Sequence, residues 1–205
     1  MLKDQTVTSF LDALSSADPT PGGGSAAALV GATGASLLIM VAGMPKSRTN
    51  ADIERNALDN AHRELLVHRG TLLDLIDRDA SAYDLVIAAF RRPKGTDEEK
   101  AARRSAVQDA TRVATEVPLE TIRVCVEAMR AGRAAAAHGN PNAASDVKVG
   151  YRLLMAAAEG AKDNVEINLG GLTDAAVQSQ IRDAATALMT EADAHVREVL
   201  ESRAI

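Results

Sequence analysis

Apolar residues recur at three- and four-residue steps through most of the chain, and this periodicity predicts helices from end to end. Val7, Phe10, Leu11 and Leu14 mark a short amphipathic helix over about 6–15. A long helix is predicted over about 51–90, with Ile53, Ala57, Ala61, Leu65, Leu72, Ile76, Tyr83, Ile87 and Phe90 on its inward stripe. The break at Arg91-Arg92-Pro93-Lys94-Gly95 is followed by Thr96-Asp97-Glu98-Glu99, a capping-box pattern that starts a fourth helix. Pro118 falls inside that helix and predicts a kink or restart before a segment over about 119–136. His138 to Asn142 reads as a loop, after which Asn142 or Ser145 is placed to cap a helix running to about 163–168. Thr173 is placed to cap a terminal helix with Val177, Ile181, Ala184, Leu188, Ala192, Val196 and Val199 inward.

One stretch lacks this alternation. Residues 19–45 carry no charge over 27 positions, long enough on length alone to span a bilayer. Gly, Ala, Ser and Thr make up much of the run, and it has no aromatic belt and no basic flank on its N-terminal side. A buried central helix over about 25–43 is the better reading. Ala27, Gly31 and Ala35 form a strip on it without bulky side chains, suited to close packing within a subunit or across a dimer axis; the expectation drawn from it is a homodimer whose interface uses this strip.

Composition agrees with helices. Of 205 residues, 40 are Ala, with two Phe, two Tyr and no Trp, which favours an all-α single domain, a multi-helix bundle around the Ala/Gly-rich helix. A net charge of -5 argues against general affinity for nucleic acid or anionic membranes, so an anionic ligand requires a local basic patch. The single Cys125 forms no internal disulfide, and the N-terminus lacks an apolar signal core; the cytoplasm is the expected compartment.

The candidate chemistry is sparse. His62, His68, His138 and His195 show no metal-ligand spacing, and no metal site is expected. Pro21-Gly22-Gly23-Gly24-Ser25 lacks the lysine ending of a nucleotide P-loop; it is either a turn and cap or a helix start whose bare amides a ligand approaches. Asp79 stands three after Ile76 and four before Tyr83, on the apolar stripe, so its carboxylate must be satisfied or functional. Asp74, Asp77 and Asp84 read as a solvated face. Asn140, Asn142, Ser145 and Asp146 cap a helix or offer a hydrogen-bonding surface to a heterocycle.

Taken together, these stretches resemble the cyclodeaminase/cyclohydrolase family of folate enzymes. The resemblance is carried by Thr20-Pro21-Gly22-Gly23-Gly24-Ser25 running into Met40-Val41-Ala42, by Asp79-Ala80-Ser81-Ala82-Tyr83, and by Pro93 to Lys100. Thr115 to Leu119, Gly139-Asn140 with Ser145-Asp146, and Asn164-Val165 with Ile167-Asn168 complete it. It implies an all-helical homodimer with a tetrahydrofolate derivative as substrate, bound near the subunit interface without a further cofactor. The reaction implied is hydrolysis of 5,10-methenyltetrahydrofolate to 10-formyltetrahydrofolate; the alternatives are deamination of formiminotetrahydrofolate with release of ammonia, or a family member with an altered substrate or a ligand-binding role only. Asp79 is then the candidate for proton transfer or for holding the pterin; Gly22, Gly23, Gly24, Ser25, Asn140, Ser145, Asp146 and Asn164 are candidates for substrate contact. One stretch departs from the family: where a catalytic lysine is expected, this chain reads Lys46-Ser47-Arg48, with Arg48 at the ungapped position. Lys46 or Arg48, with Arg91, Arg92 and Lys94 behind them, are the candidate cations for a folate carboxylate or the reacting centre.

Overall fold

The computed structural model describes residues 1–44 and 51–201. Six helices follow one another: α1 (Val7–Leu14), α2 (Gly23–Gly43), α3 (Asp52–Phe90), α4 (Asp97–His138), α5 (Ala144–Leu169) and α6 (Ala175–Glu201). No strand occurs among the described residues. α2 is the axis of the bundle, packed against α3 and α5 and touching α4, while α6 closes over α4 and α5.

The small-residue strip explains how α2 reaches that position. A Cβ on Gly31 would stand 3.0 Å from Cys125 Sγ, 3.2 Å from Leu72 and 3.3 Å from Ala157, so the strip is filled by α3, α4 and α5 of the same chain. The expectation of a dimer built on this strip is therefore corrected: Ala27, Gly31 and Ala35 are buried inside the subunit. On the α5 side, Gly34 and Gly150 meet almost backbone to backbone; a Cβ on Gly34 would fall 2.7 Å from the Gly150 carbonyl oxygen. The opposite face of α2 is another matter. Ala26, Val30, Thr33, Leu37 and Met40 are half-buried or exposed, and the helix carries no charge. By length and composition α2 could cross a membrane, yet its apolarity is accounted for by three neighbouring helices on one side.

α3 and α4 have 39 and 42 residues against 21 for α2, about 58 and 63 Å against 31 Å at 1.5 Å per residue. They outrun the bundle. Ile53 (78% exposed), Tyr83 and Phe90 (50%), all on the expected inward stripe, are nevertheless exposed; near the C-terminal end of α3 it is Ala82 and Ala89 that turn inward, while Arg103 of α4 stands over the Phe90 ring. Val7 and Leu11 of α1 are also exposed; Phe10 is buried and Leu14 packs at the core's edge.

Pro118 does not restart α4, which is continuous across it. A proline at 118 leaves the Ala114 carbonyl without its intrahelical donor. Asn168 on α5 fills the gap, donating Nδ2 to the Ala114 oxygen at 2.7 Å. The capping box at Thr96 and Glu99 is present in both halves. Two other expected caps are not used: α5 starts at Ala144 without a side-chain cap, and Asp174, not Thr173, accepts from the first amides of α6. Thr173 instead donates its amide to Gln108 Oε1 at 2.8 Å. Asp77, expected in solvent, accepts the Leu2 amide at 2.6 Å and helps tie the N-terminal strap to α3.

Candidate active site

The strap turns at a cis Thr20–Pro21 bond and enters α2 with Gly22 as its N-cap. A glycine cap has no side chain with which to accept from the first amides of the helix. Asp79 supplies that acceptor from α3. The Ser25 hydroxyl donates to Asp79 Oδ2 at 2.8 Å and lies 3.1 Å from the Ile76 carbonyl oxygen, and the Ser25 backbone amide also donates to the carboxylate. The α3 carboxylate thus caps α2 across the interface, at the positive end of the helix dipole.

Gly24 makes this possible: a Cβ there would fall inside the carboxylate, 2.6 Å from Asp79 Cγ. The bare Gly24 leaves the room that the Asp79 carboxylate occupies. Gly23 is exposed, and Asn164 of α5 stands beside it, Nδ2 3.6 Å from where a Cβ would be. Asn164 donates Nδ2 to the Gly160 carbonyl oxygen at 2.7 Å, which leaves its own carbonyl oxygen as an acceptor at the site. Gly22, Gly23, Gly24, Ser25, Asp79 and Asn164 are therefore one cluster.

Burial pushes the Asp79 carboxyl above its ordinary value, and the two Ser25 hydrogen bonds oppose the rise without cancelling it. Among the described residues no Lys or Arg pairs with Asp79. Ser25→Ala should raise the Asp79 pKa further, since it removes a donor that favours the charged form. Following the carboxyl carbon shift by NMR through an acid titration checks this; an unchanged or lower midpoint would refute it.

The second group of expected site residues lies elsewhere. α5 runs antiparallel to α2: Gly23 is beside Asn164, Gly31 beside Ala157, Gly34 beside Gly150, and Val41 beside Gly139. Asn140, whose Oδ1 accepts the Asn142 amide at 3.0 Å, and Ser145 and Asp146 at the start of α5 are consequently at the far end of α2. From Gly24 to Val41 is 17 residues, about 25 Å. Within one chain, then, Asn140, Ser145 and Asp146 do not meet Asp79. Arg91, Arg92 and Lys94 are exposed on the projecting α3–α4 turn, about 18 Å beyond Asp79. Lys46 and Arg48 lie outside the described residues. Ser25 as the partner of Asp79 was not foreseeable from spacing, because 54 residues separate them.

An all-helical bundle with a half-buried carboxylate set against the start of its central helix defines a class: a small α-helical domain whose candidate site lies where α2, α3 and α5 meet. Residues 6–187 match the family model described as formiminotransferase-cyclodeaminase, and the chain belongs to that family. It is 37% identical over 203 residues to a methenyltetrahydrofolate cyclohydrolase of Methylorubrum extorquens, covering 98% of this chain and 97% of that protein. A rat formimidoyltransferase-cyclodeaminase is 34% identical over 205 residues, with 98% of this chain matching 37% of that longer protein. The crystal structure of a formiminotetrahydrofolate cyclodeaminase from Thermotoga maritima superposes with a TM-score of 0.86 at 25% identity, covering 98% of each chain.

Proposed function

We propose that this protein is a methenyltetrahydrofolate cyclohydrolase. The observation that carries the reading is the seat of Asp79, a carboxylate with a raised pKa and no cationic partner among the described residues, in a chain matched end to end by a relative of that name. An unpaired, partly desolvated carboxylate favours a cationic ligand, and the methenyl carbon belongs to a cationic amidinium. As water adds to that carbon, Asp79 takes one of its protons and a tetrahedral adduct forms. The bond from this carbon to N5 then breaks, N5 takes the proton from Asp79, and the second water proton leaves to solvent as the formyl C=O forms. Water and cation in, one proton out: the step balances. Asn164 is assigned to the pterin, and Lys46 and Arg48 to the folate carboxylates; an arginine, which stays protonated, suits binding better than proton transfer.

The functional unit is proposed as a cytoplasmic homodimer. Its support is the uncharged outward face of α2, Ala26 to Met40, half-buried or exposed among the described residues.

Loss of the near-ultraviolet absorbance of 5,10-methenyltetrahydrofolate tests the reading. The protein should accelerate it well above the spontaneous rate, and no acceleration rules the activity out. The second reading, formiminotetrahydrofolate cyclodeaminase, is favoured by the whole-chain match to the Thermotoga structure; ammonia release from formiminotetrahydrofolate without methenyl hydrolysis would select it.

A further inference from the structure

α3 runs antiparallel to α2: a Cβ added to Gly24, Gly31 or Gly43 would meet Asp79, Leu72 or His62 in turn. Arg69 therefore stands level with residues 34–36 of α2, about 15 Å along α3 from Asp79. At about 100° per residue the two lie within a quarter turn of each other on α3, while Arg78, which pairs with Glu120 of α4, is on the opposite side of the helix from Arg69. Arg69 thus flanks the outward face of α2. It is half-buried, and its Nε is buried with no hydrogen-bond acceptor among the described residues. A guanidinium taken partly out of water without an acceptor is costly, and an anionic ligand removes that cost.

Between the levels of Asp79 and Arg69, Leu29 of α2 and Leu73 of α3 are half-buried against the core. The groove so outlined offers a carboxylate at one end, an apolar middle and a desolvated guanidinium at the other. The substrate of the folate reading has the same order: a cationic methenyl bridge, an aminobenzoyl ring and a glutamate. At ordinary bond lengths its carboxylates lie about 10–13 Å from the methenyl carbon, and a water between that carbon and Asp79 brings the span to about 15 Å. We propose that Arg69 holds one carboxylate of the folate glutamate, so that Asp79 and Arg69 of a single chain engage opposite ends of the substrate. The planar fork of an arginine suits a carboxylate bidentately. This rests on the folate reading above and leaves the other carboxylate to Lys46 and Arg48.

The test compares two substrates on two proteins. Arg69→Gln relieves a desolvated charge and should keep the fold, which circular dichroism checks, with Arg69→Met as a second variant. With 5,10-methenyltetrahydrofolate the variant's KM should rise about 10–100-fold, the scale of a charge-assisted hydrogen bond, while kcat changes little, because a distal anchor holds ground state and transition state alike. With 5,10-methenyltetrahydropteroate, the same molecule without its glutamate, wild type and variant should have the same kcat/KM. Arg69→Lys should recover part of the affinity for the folate and change nothing for the pteroate. If Arg69→Gln slows both substrates alike, leaves the KM for the folate unchanged, or if neither variant folds, Arg69 is a structural residue and the proposal is overturned while the folate reading stands. If wild-type protein neither binds nor hydrolyses the methenyl folate, both fall.

Discussion

Asp79→Asn should lower turnover by about two orders of magnitude or more, the usual scale for a general acid–base group, while the protein keeps its fold. Asparagine retains an oxygen that can accept from Ser25, so the cap on α2 survives; only the charge and the exchangeable proton are lost. The stability effect has a definite sign. The folded-state pKa of Asp79 is above the 3.8 of an ordinary aspartate, so the fold favours the protonated form. Its stabilising contribution is complete below pH 3.8 and is lost as the pH rises through the folded-state value. Above that folded-state value the wild type carries a desolvated charge that Asp79→Asn does not. The variant should melt at or above the wild-type temperature at pH 7, with the gap closing as the pH falls toward 4. Calorimetry across that range checks it, and a gap that widens on acidification would show that the carboxylate is stabilised in its charged form. Should Asp79 only anchor the pterin, affinity would suffer more than the maximal rate.

Gly34→Ala should force apart the closest backbone approach of α2 and α5. Its Cβ would stand 2.7 Å from the Gly150 carbonyl oxygen, 3.0 Å from Leu154 Cγ and 3.1 Å from the Leu154 amide nitrogen. Two of these are backbone atoms of α5, held by their own helix, so relief requires α2 and α5 to separate. Overpacking of this kind costs about 3 kcal/mol, which lowers the Tm of a chain this size by roughly 6–12 °C. Gly70→Ala is the control: nothing lies within 4 Å of its Cβ, and alanine improves helix propensity there. Equal melting temperatures for the two variants would mean that α2 and α5 do not approach this closely.

What could be read before the structure, and what could not, divides by sequence distance. The α3 stripe was legible because its period is local, as was the capping box at Thr96. Which residues that face presents at the ends of α3 was not, since a large apolar side chain at the right step outweighs a neighbouring alanine on the page; Ala82 and Ala89 turn inward and Tyr83 and Phe90 do not. Asp79 stood out because an acid on an apolar stripe is costly without a partner. That the partner is Ser25, and that Gly24 is bare to admit the carboxylate, depends on how α2 and α3 cross. The loop from Asn140 to Asp146 was read as part of the same site, but the antiparallel register of α2 and α5 carries it to the other end of the bundle. Asp174 was missed as a cap because Thr173 beside it is an equally good candidate by type.

The bond from Asn168 to the Ala114 carbonyl bears on how the chain acquires its structure. Alone in water, a peptide of residues 97–138 has a proline at its centre and no donor for the carbonyl that proline leaves open, so it should fray or break there. The continuous α4 is the product of docking: its middle turn becomes whole only when α5 arrives with its amide, 54 residues on. Order of formation follows from this. The two halves of α4 can appear early as separate helices, and their fusion into one rod coincides with assembly of the core, so a probe of helix continuity around Pro118 would report tertiary docking, not local helix growth.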